Sequence, residues 1–240
     1  MVPAAANKKQ EESKMPERNA ENNRVSVIGV VVSGFEFSHE VFGESFYIME
    51  LSVNRLSDQS DTIPVMISER LIDINQDYRG RTMEAIGQFR SYNRHEGTRN
   101  RLVLSVFVRE YHFMEAFTDY TKTNQIMLDG YICKPPVYRK TPLGREIADL
   151  LVAVNRPYSN RDYIPCIAWG RTARFCENME VGTEIKLIGR VQSRTYEKKY
   201  EDGTSQMKTA YEVSVASLEV VNKNDEEKEE VKKEENEEAI

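Results

Sequence analysis

Three aromatic and three guanidinium side chains are interleaved in one short stretch, VNRPYSNRDYIPCIAWGR, from Val154 to Arg171. They are Tyr158, Tyr163 and Trp169, with Arg156, Arg161 and Arg171. Rings offer flat apolar faces on which bases stack, and guanidinium groups carry charge to phosphates. Tyr196, set among Arg194, Lys198 and Lys199, adds a fourth ring in similar company. This is binding chemistry, and nothing comparable speaks for catalysis. The chain has no phosphate-cradling glycine loop and no nucleophile that its scattered histidines, His39, His95 and His112, could serve as base. Cys133, Cys166 and Cys176 lack CxxC spacing, so they read as small buried hydrophobes rather than zinc ligands or a disulfide framework. No enzyme activity, cofactor or metal is expected.

The elements that must position these residues follow from the apolar pattern. Residues 1–22 are rich in Ala, Lys, Glu and Asn and are expected to be disordered, with Met15 an alternative start to Met1. Strands are expected at 24–32, 46–53 and 63–67, then a short helix over 69–77 with Ser68 as its N-cap. Further strands are expected at 82–92 and 102–108, joined by a turn over 93–100. An acidic tail over 223–240 has too few apolar positions to dock. No apolar run nears 18 residues and no signal segment is evident, so a soluble, cytoplasmic (nucleoid-associated) protein with no membrane partner is expected.

The pattern then repeats. Val53-Asn54-Arg55 returns as Val154-Asn155-Arg156, Ile63-Pro64 as Ile164-Pro165, Gly29 as Gly130 and Gly43 as Gly144, all shifted by 101 residues. Ile86-Gly87 returns as Ile188-Gly189, shifted by 102. Landmarks at one common shift point to an internal duplication. Each copy reads as five strands with a short helix between the third and fourth, which is the order of an OB-fold barrel. Glycines inside the first and fourth strands suit the coiling or bulges a small barrel needs. The fold class expected is therefore all-β, two tandem OB barrels over 23–118 and 119–222, the joint between them about nine residues long.

Over residues 124–221 the chain resembles the bacterial single-stranded DNA-binding protein family. The resemblance rests on NQIMLDGYI, PVYRKTPLG (136–144), AVNRPY (153–158), DYIPCIAWGRTAR (162–174), VGTEIKLIGRVQSRTYE (181–197) and YEVSVASLEVV (211–221), in that order and spacing. It implies stacking of bases on Tyr158, Tyr163, Trp169 and Tyr196, and phosphate contacts from Arg139, Arg156, Arg171 and Arg194. Lys140 stands where family members commonly carry Tyr, and with Lys198 it joins the cationic set. The resemblance also implies single-stranded DNA as partner, roles in DNA replication, recombination or repair, and a homodimer that supplies four OB domains. The tail ends in Glu238-Ala239-Ile240 rather than the acidic Pro-Phe tip by which the family recruits replication and repair proteins. Other readings of an OB protein of this kind are a primosome-like scaffold whose main partner is protein, and an RNA-binding module.

Set side by side, the copies differ where the chemistry lies. Tyr158, Tyr163, Trp169 and Tyr196 correspond to Ser57, Thr62, Ser68 and Arg94, so all four rings are absent from the first copy. Residues 119–222 carry 15 basic and 13 acidic groups, whereas 22–118 carry 10 and 13. Both differences assign single-strand binding to 119–222 and a structural or weak-binding role to 23–118. Phe35, Phe37 and Tyr92 are the first copy's own aromatic candidates.

Overall fold

A computed structural model describes residues 22–57, 59–96, 99–115, 122–157, 160–200 and 203–221, without the side chains of 93–101. Of the tract expected to be disordered, 1–22, all but Asn22 lies outside the described residues, as do the tail over 223–240 and Tyr158. Asn22 is described and donates to the Asn155 carbonyl at 2.8 Å. The first copy contains β1 (Asn23–Val31), β2 (Glu36–Val41), β3 (Glu44–Asn54), β4 (Ser60–Ser68), β5 (Thr82–Glu96) and β6 (Arg99–Met114). The second contains β7 (Asn124–Ile132), β8 (Val137–Lys140), β9 (Glu146–Asn155), β10 (Arg161–Trp169), helix α1 (Gly170–Cys176), β11 (Glu184–Lys199) and β12 (Ser205–Val220). The twelve strands form one sheet in the order β2-β3-β4-β6-β5-β1-β7-β11-β12-β10-β9-β8, and the extra pairings β3–β1 and β7–β9 close each half into a barrel. Both halves thus repeat one topology as tandem OB barrels. In each, a single parallel pairing, β4 with β6 or β10 with β12, interrupts the antiparallel ladder.

Three expectations need correction. Among the described residues each copy has six strands rather than five, because β2 and β8 form an extra edge hairpin with β3 and β9. Most of β2 is exposed, so it lacks the one-face apolar alternation that marks a strand in sequence. Its turn, Phe42-Gly43, has φ of 50° and 75°, the pair of positive values that a tight antiparallel hairpin requires. Residues 69–77 are turns, not a helix. Ser68 Oγ, Asp73 Oδ1 and Asp77 Oδ1 accept from the N–H two residues on (Arg70, Asn75 and Arg79), and these local bonds compete with a helical ladder. Finally, β5 and β6 stay paired as far as Glu96 opposite Arg99, so the expected turn over 93–100 is mostly ladder.

The strand glycines do what their repetition implies. The β5–β6 ladder shifts register between Ile86 and Gly87, and the β11–β12 ladder between Ile188 and Gly189. A Cβ on Gly87 would stand 2.0 Å from the Phe107 carbonyl oxygen, and one on Gly189 2.3 Å from that of Ser214. Only hydrogen fits there, because the obstacle is backbone of the paired strand. Gly87→Ala and Gly189→Ala are each expected to cost about 1–3 kcal/mol as overpacking, read as a lower urea midpoint.

The barrels meet through β1 and β7, whose antiparallel register pairs Val25 with Ile126, its own counterpart at a shift of 101. Asn23 pairs with Leu128 and Val27 with Asn124, so the joint has a local pseudo-two-fold. Asn23 brackets Phe89 through both its side-chain oxygen (2.9 Å) and nitrogen (2.8 Å), and Asn124 brackets Val191 in the same way (2.8 and 2.6 Å). On either side of this seam a buried carboxylate crosses between barrels. Asp61 accepts from the Ser193 N–H at 2.7 Å and Asp162 from the Ser91 N–H at 2.5 Å. Each is clamped by an arginine of its own barrel, Arg55 on Asp61 and Arg156 on Asp162.

Candidate nucleic-acid interface

The rings of the second barrel reach one surface because strand alternation puts them there. On β10 the odd positions Tyr163, Pro165, Ile167 and Trp169 face away from a core built by Ile164, Cys166 and Ala168. Ile167 lies opposite Ser214 on β12, and Trp169 Nε1 donates to Ser214 Oγ at 3.1 Å, which fixes the indole on that face. Trp169 and Tyr163 are 37% and 40% exposed, enough to offer a ring face while the other edge is held. Continuing across β12, Lys208 and Gln206 share the face and pair with Tyr196 and Lys198 of β11.

Beyond the barrel wall β11 and β12 project as a two-stranded arm. Arg194 lies over the Tyr196 ring at 5.6 Å, and Lys198 and Lys208 flank the Tyr200 ring at 5.6 and 5.8 Å. Tyr200 and Lys208 are not among the residues singled out from the sequence; their even spacing, four residues from Tyr196 to Tyr200 and two from Gln206 to Lys208, is the available signal. Arg171 is exposed on the first turn of α1. Arg171, Arg194, Lys198 and Lys208 have no carboxylate partner among the described residues. Free surface cations beside exposed rings are what a base-stacking, phosphate-tracking groove is made of.

Other expected contacts are placed differently. Arg156 is not directed at solvent: its Nε bonds Asp162 at 2.6 Å and a terminal nitrogen bonds the Ser91 carbonyl at 2.6 Å, so it belongs to the joint. Arg139 is half-exposed but paired to Asp149 at 2.8 Å. Lys140 is exposed at the end of β8. Two carboxylates near this face are engaged: Glu212 accepts from Gln192 at 2.7 Å and Glu146 from Arg174 and Tyr138. Cys166 and Cys176 are buried, and burial pushes both thiols up, that of Cys176 to about 11, so they are packing residues. Among the described residues no group of three or more His, Cys, Asp or Glu is placed to hold a metal, and no helix is long and apolar enough to cross a membrane.

A closed OB barrel with exposed rings and unpaired cations on one outer face and its β11–β12 arm defines the class: an oligonucleotide-binding module. Comparison with known proteins agrees. Residues 123–221 match the model of the single-strand binding protein family. The chain is 36% identical over 101 residues to a single-stranded DNA-binding protein of Oceanobacillus iheyensis, covering 39% of this chain and 59% of that relative. It is 35% identical over 92 residues to single-stranded DNA-binding protein B of Bacillus subtilis, covering 34% of this chain and 77% of the relative. The chain belongs to the single-strand binding protein family. The matches span about half the length of several relatives, for example 51% and 48% of two others. In three dimensions the wild-type single-stranded DNA-binding protein of Thermus aquaticus shares the fold, with a TM-score of 0.61 at 17% identity, over 84% of this chain and 93% of that one.

Proposed function

We propose that this protein is a non-enzymatic, sequence-independent binder of single-stranded DNA, serving its protection in replication, recombination or repair, with the second barrel as the principal binding surface. The observation that carries the reading is Trp169, held by Ser214 yet exposed, on the same face as the Tyr196–Tyr200 arm and its unpaired cations. Bases stack on Trp169, Tyr163 and Tyr196, and Arg171, Arg194 and Lys198 follow the phosphates, with Arg139 and Lys140 at the β8 edge. The relatives, single-stranded DNA-binding proteins by name, support the same substrate class. A cytoplasmic, nucleoid-associated location follows from that substrate.

Titrating the intrinsic fluorescence with oligo-dT tests this directly, because Trp169 is the single tryptophan. Quenching on binding is expected, with affinity falling as salt rises. Neutralising about four phosphates gives a slope of about −3 in log K against log salt for single strands. A slope near zero, or no quenching at saturation, would overturn the reading. Equal affinity for matched RNA would favour an RNA partner instead.

The same reading pairs two chains into an assembly of four barrels. In support, Val30, Met127 and Ile188 stand exposed on the outer side of the central strands, where Met127 and Ile188 are cross-strand neighbours. Light scattering should return twice the chain mass of 27.8 kDa. A monomer mass at micromolar concentration refutes it.

A further inference from the structure

The first barrel has lost the rings of the second, yet its equivalent outer face is not bare. A cavity of about 390 Å³ opens there, walled by Phe37, Ile48, Met66, Tyr92 and Phe107 with Arg90 among them. Its counterpart positions in the second barrel are Tyr138, Asp149, Ile167, Arg194 and Ser214, with Gln192 in place of Arg90. Of the three rings, Phe37 has an aromatic counterpart in Tyr138, whereas Tyr92 and Phe107 belong to this barrel alone. Phe35, by contrast, is spent on edge contacts with Tyr47 and Tyr78 and lies outside the cavity.

Arg90 gives the cavity its sign. Its guanidinium lies 3.9 Å over the Phe107 ring and bonds only Gln88 Oε1, with no carboxylate at ion-pair distance among the described residues. Burial, then the charges of Arg109 and Arg156, push it down to about 10. Asp162 works the other way, and Glu36 lines the cavity from an exposed position, but neither pairs with Arg90. A half-buried cation beside flat apolar walls is thus open to an anion attached to a flat apolar group. A nucleotide is such a ligand: the base takes the walls, and its phosphate takes Arg90.

Position decides which nucleotide. Ser91 lines the cavity, and its Oγ accepts from the Tyr163 N–H at 2.8 Å, while Arg156 of the second barrel lines it too. Tyr163 is a stacking residue of the second barrel, so the cavity begins where that surface ends, across the joint. We infer that the first barrel captures a nucleobase of the same DNA strand in this cavity, stacked among Phe37, Tyr92 and Phe107 with Arg90 on the adjoining phosphate, after the strand leaves Tyr163. This inference rests on the single-strand reading above and extends the bound path from the second barrel onto the first.

The test uses the full chain and oligo-dT carrying one photoreactive 5-iodouracil, moved position by position. Crosslinks to Phe37, Tyr92 or Phe107 are expected from one register, alongside crosslinks to the second barrel from others. Phe37→Ala removes an exposed wall and is expected to lower affinity about tenfold for strands long enough to reach the cavity, with unchanged thermal unfolding and Trp169 quenching retained. Arg90→Gln should flatten the salt slope by about one phosphate. Tight, salt-dependent binding with crosslinks confined to 123–221 and no effect of Phe37→Ala overturns the cavity while leaving the second barrel's role intact. Absence of any oligo-dT binding by the parent chain overturns both.

Discussion

Trp169→Ala and Tyr196→Ala are each expected to weaken oligo-dT binding about thirtyfold, and together by about three orders of magnitude. The magnitude follows from base–ring stacking at about 1–3 kcal/mol per base, taken at about 2 for each. Additivity follows from geometry. Trp169 is held at Ser214 and Tyr196 stands opposite Lys208, six positions along β12, or roughly 20 Å at the rise of a strand. Residues that far apart with no shared partner contribute independently. Neither substitution reaches the core, because both rings are more than a third exposed. Trp169→Phe keeps a stacking face but loses the Ser214 bond, so it should lose less than Trp169→Ala. Filter binding at one fixed salt concentration measures all four. Losses below threefold for both single alanine variants would show that bases do not stack there.

How the site was legible in the sequence divides along a physical line. Rings and cations on strands were readable because period-two alternation assigns them a face, and Ser214, which fixes Trp169, lies on the neighbouring strand that any OB order brings alongside. Arg156 was misread for a reason the chain itself contains. Its counterpart Arg55 is retained in the first copy, beside Asp61, the counterpart of Asp162. Residues kept by both copies are those both barrels need, whereas residues that differ carry the separate chemistry. By that rule an arginine kept beside the same aspartate belongs to the framework, and the rings that changed belong to the surface. The repeated glycines inside the strands, Gly29 with Gly130 and Gly87 with Gly189, obey it as well, since each faces a backbone carbonyl of its own barrel.

What was not legible is of two kinds. Edge strands such as β2 bury nothing, so their sequence shows no alternation, and only the hairpin geometry at Phe42-Gly43 reveals them. The cavity of the first barrel is assembled from β2, β3, β4, β5 and β6, five segments spread over 36–107, with Arg156 of the second barrel. No local pattern announces it, because the contributing residues become neighbours only when the barrel closes. Phe37 and Tyr92 are legible as the first copy's own rings, but that Phe107 and Arg90 stand beside them is not.

The joint supplies the second large effect: Asp162→Ala is expected to destabilise the protein by about 3–5 kcal/mol. The Asp162 side chain is 1% exposed and receives two nitrogens of Arg156 and the Ser91 N–H of the other barrel. Removing it strands a partly buried guanidinium and an orphaned N–H at once, which costs far more than an exposed pair would. For a chain of this size the melting temperature should fall by roughly 10 °C. Asp162→Asn keeps an acceptor for Ser91 and should fall less. The pseudo-symmetric Asp61→Ala tests whether the clamp works from both sides, and pH separates charge from packing. Burial works to raise the Asp61 carboxyl, but Arg55, the Ser193 N–H and Arg190 outweigh it, so the carboxyl is held below its ordinary value. A carboxylate so lowered contributes stability above its unfolded value of about 4, and that contribution is lost as pH falls through the folded value. The gap in melting temperature between parent and Asp61→Ala should therefore be full at pH 7 and shrink below about pH 4. A gap that stays constant on acidification would mean that Asp61 holds the barrels together by shape and not by charge.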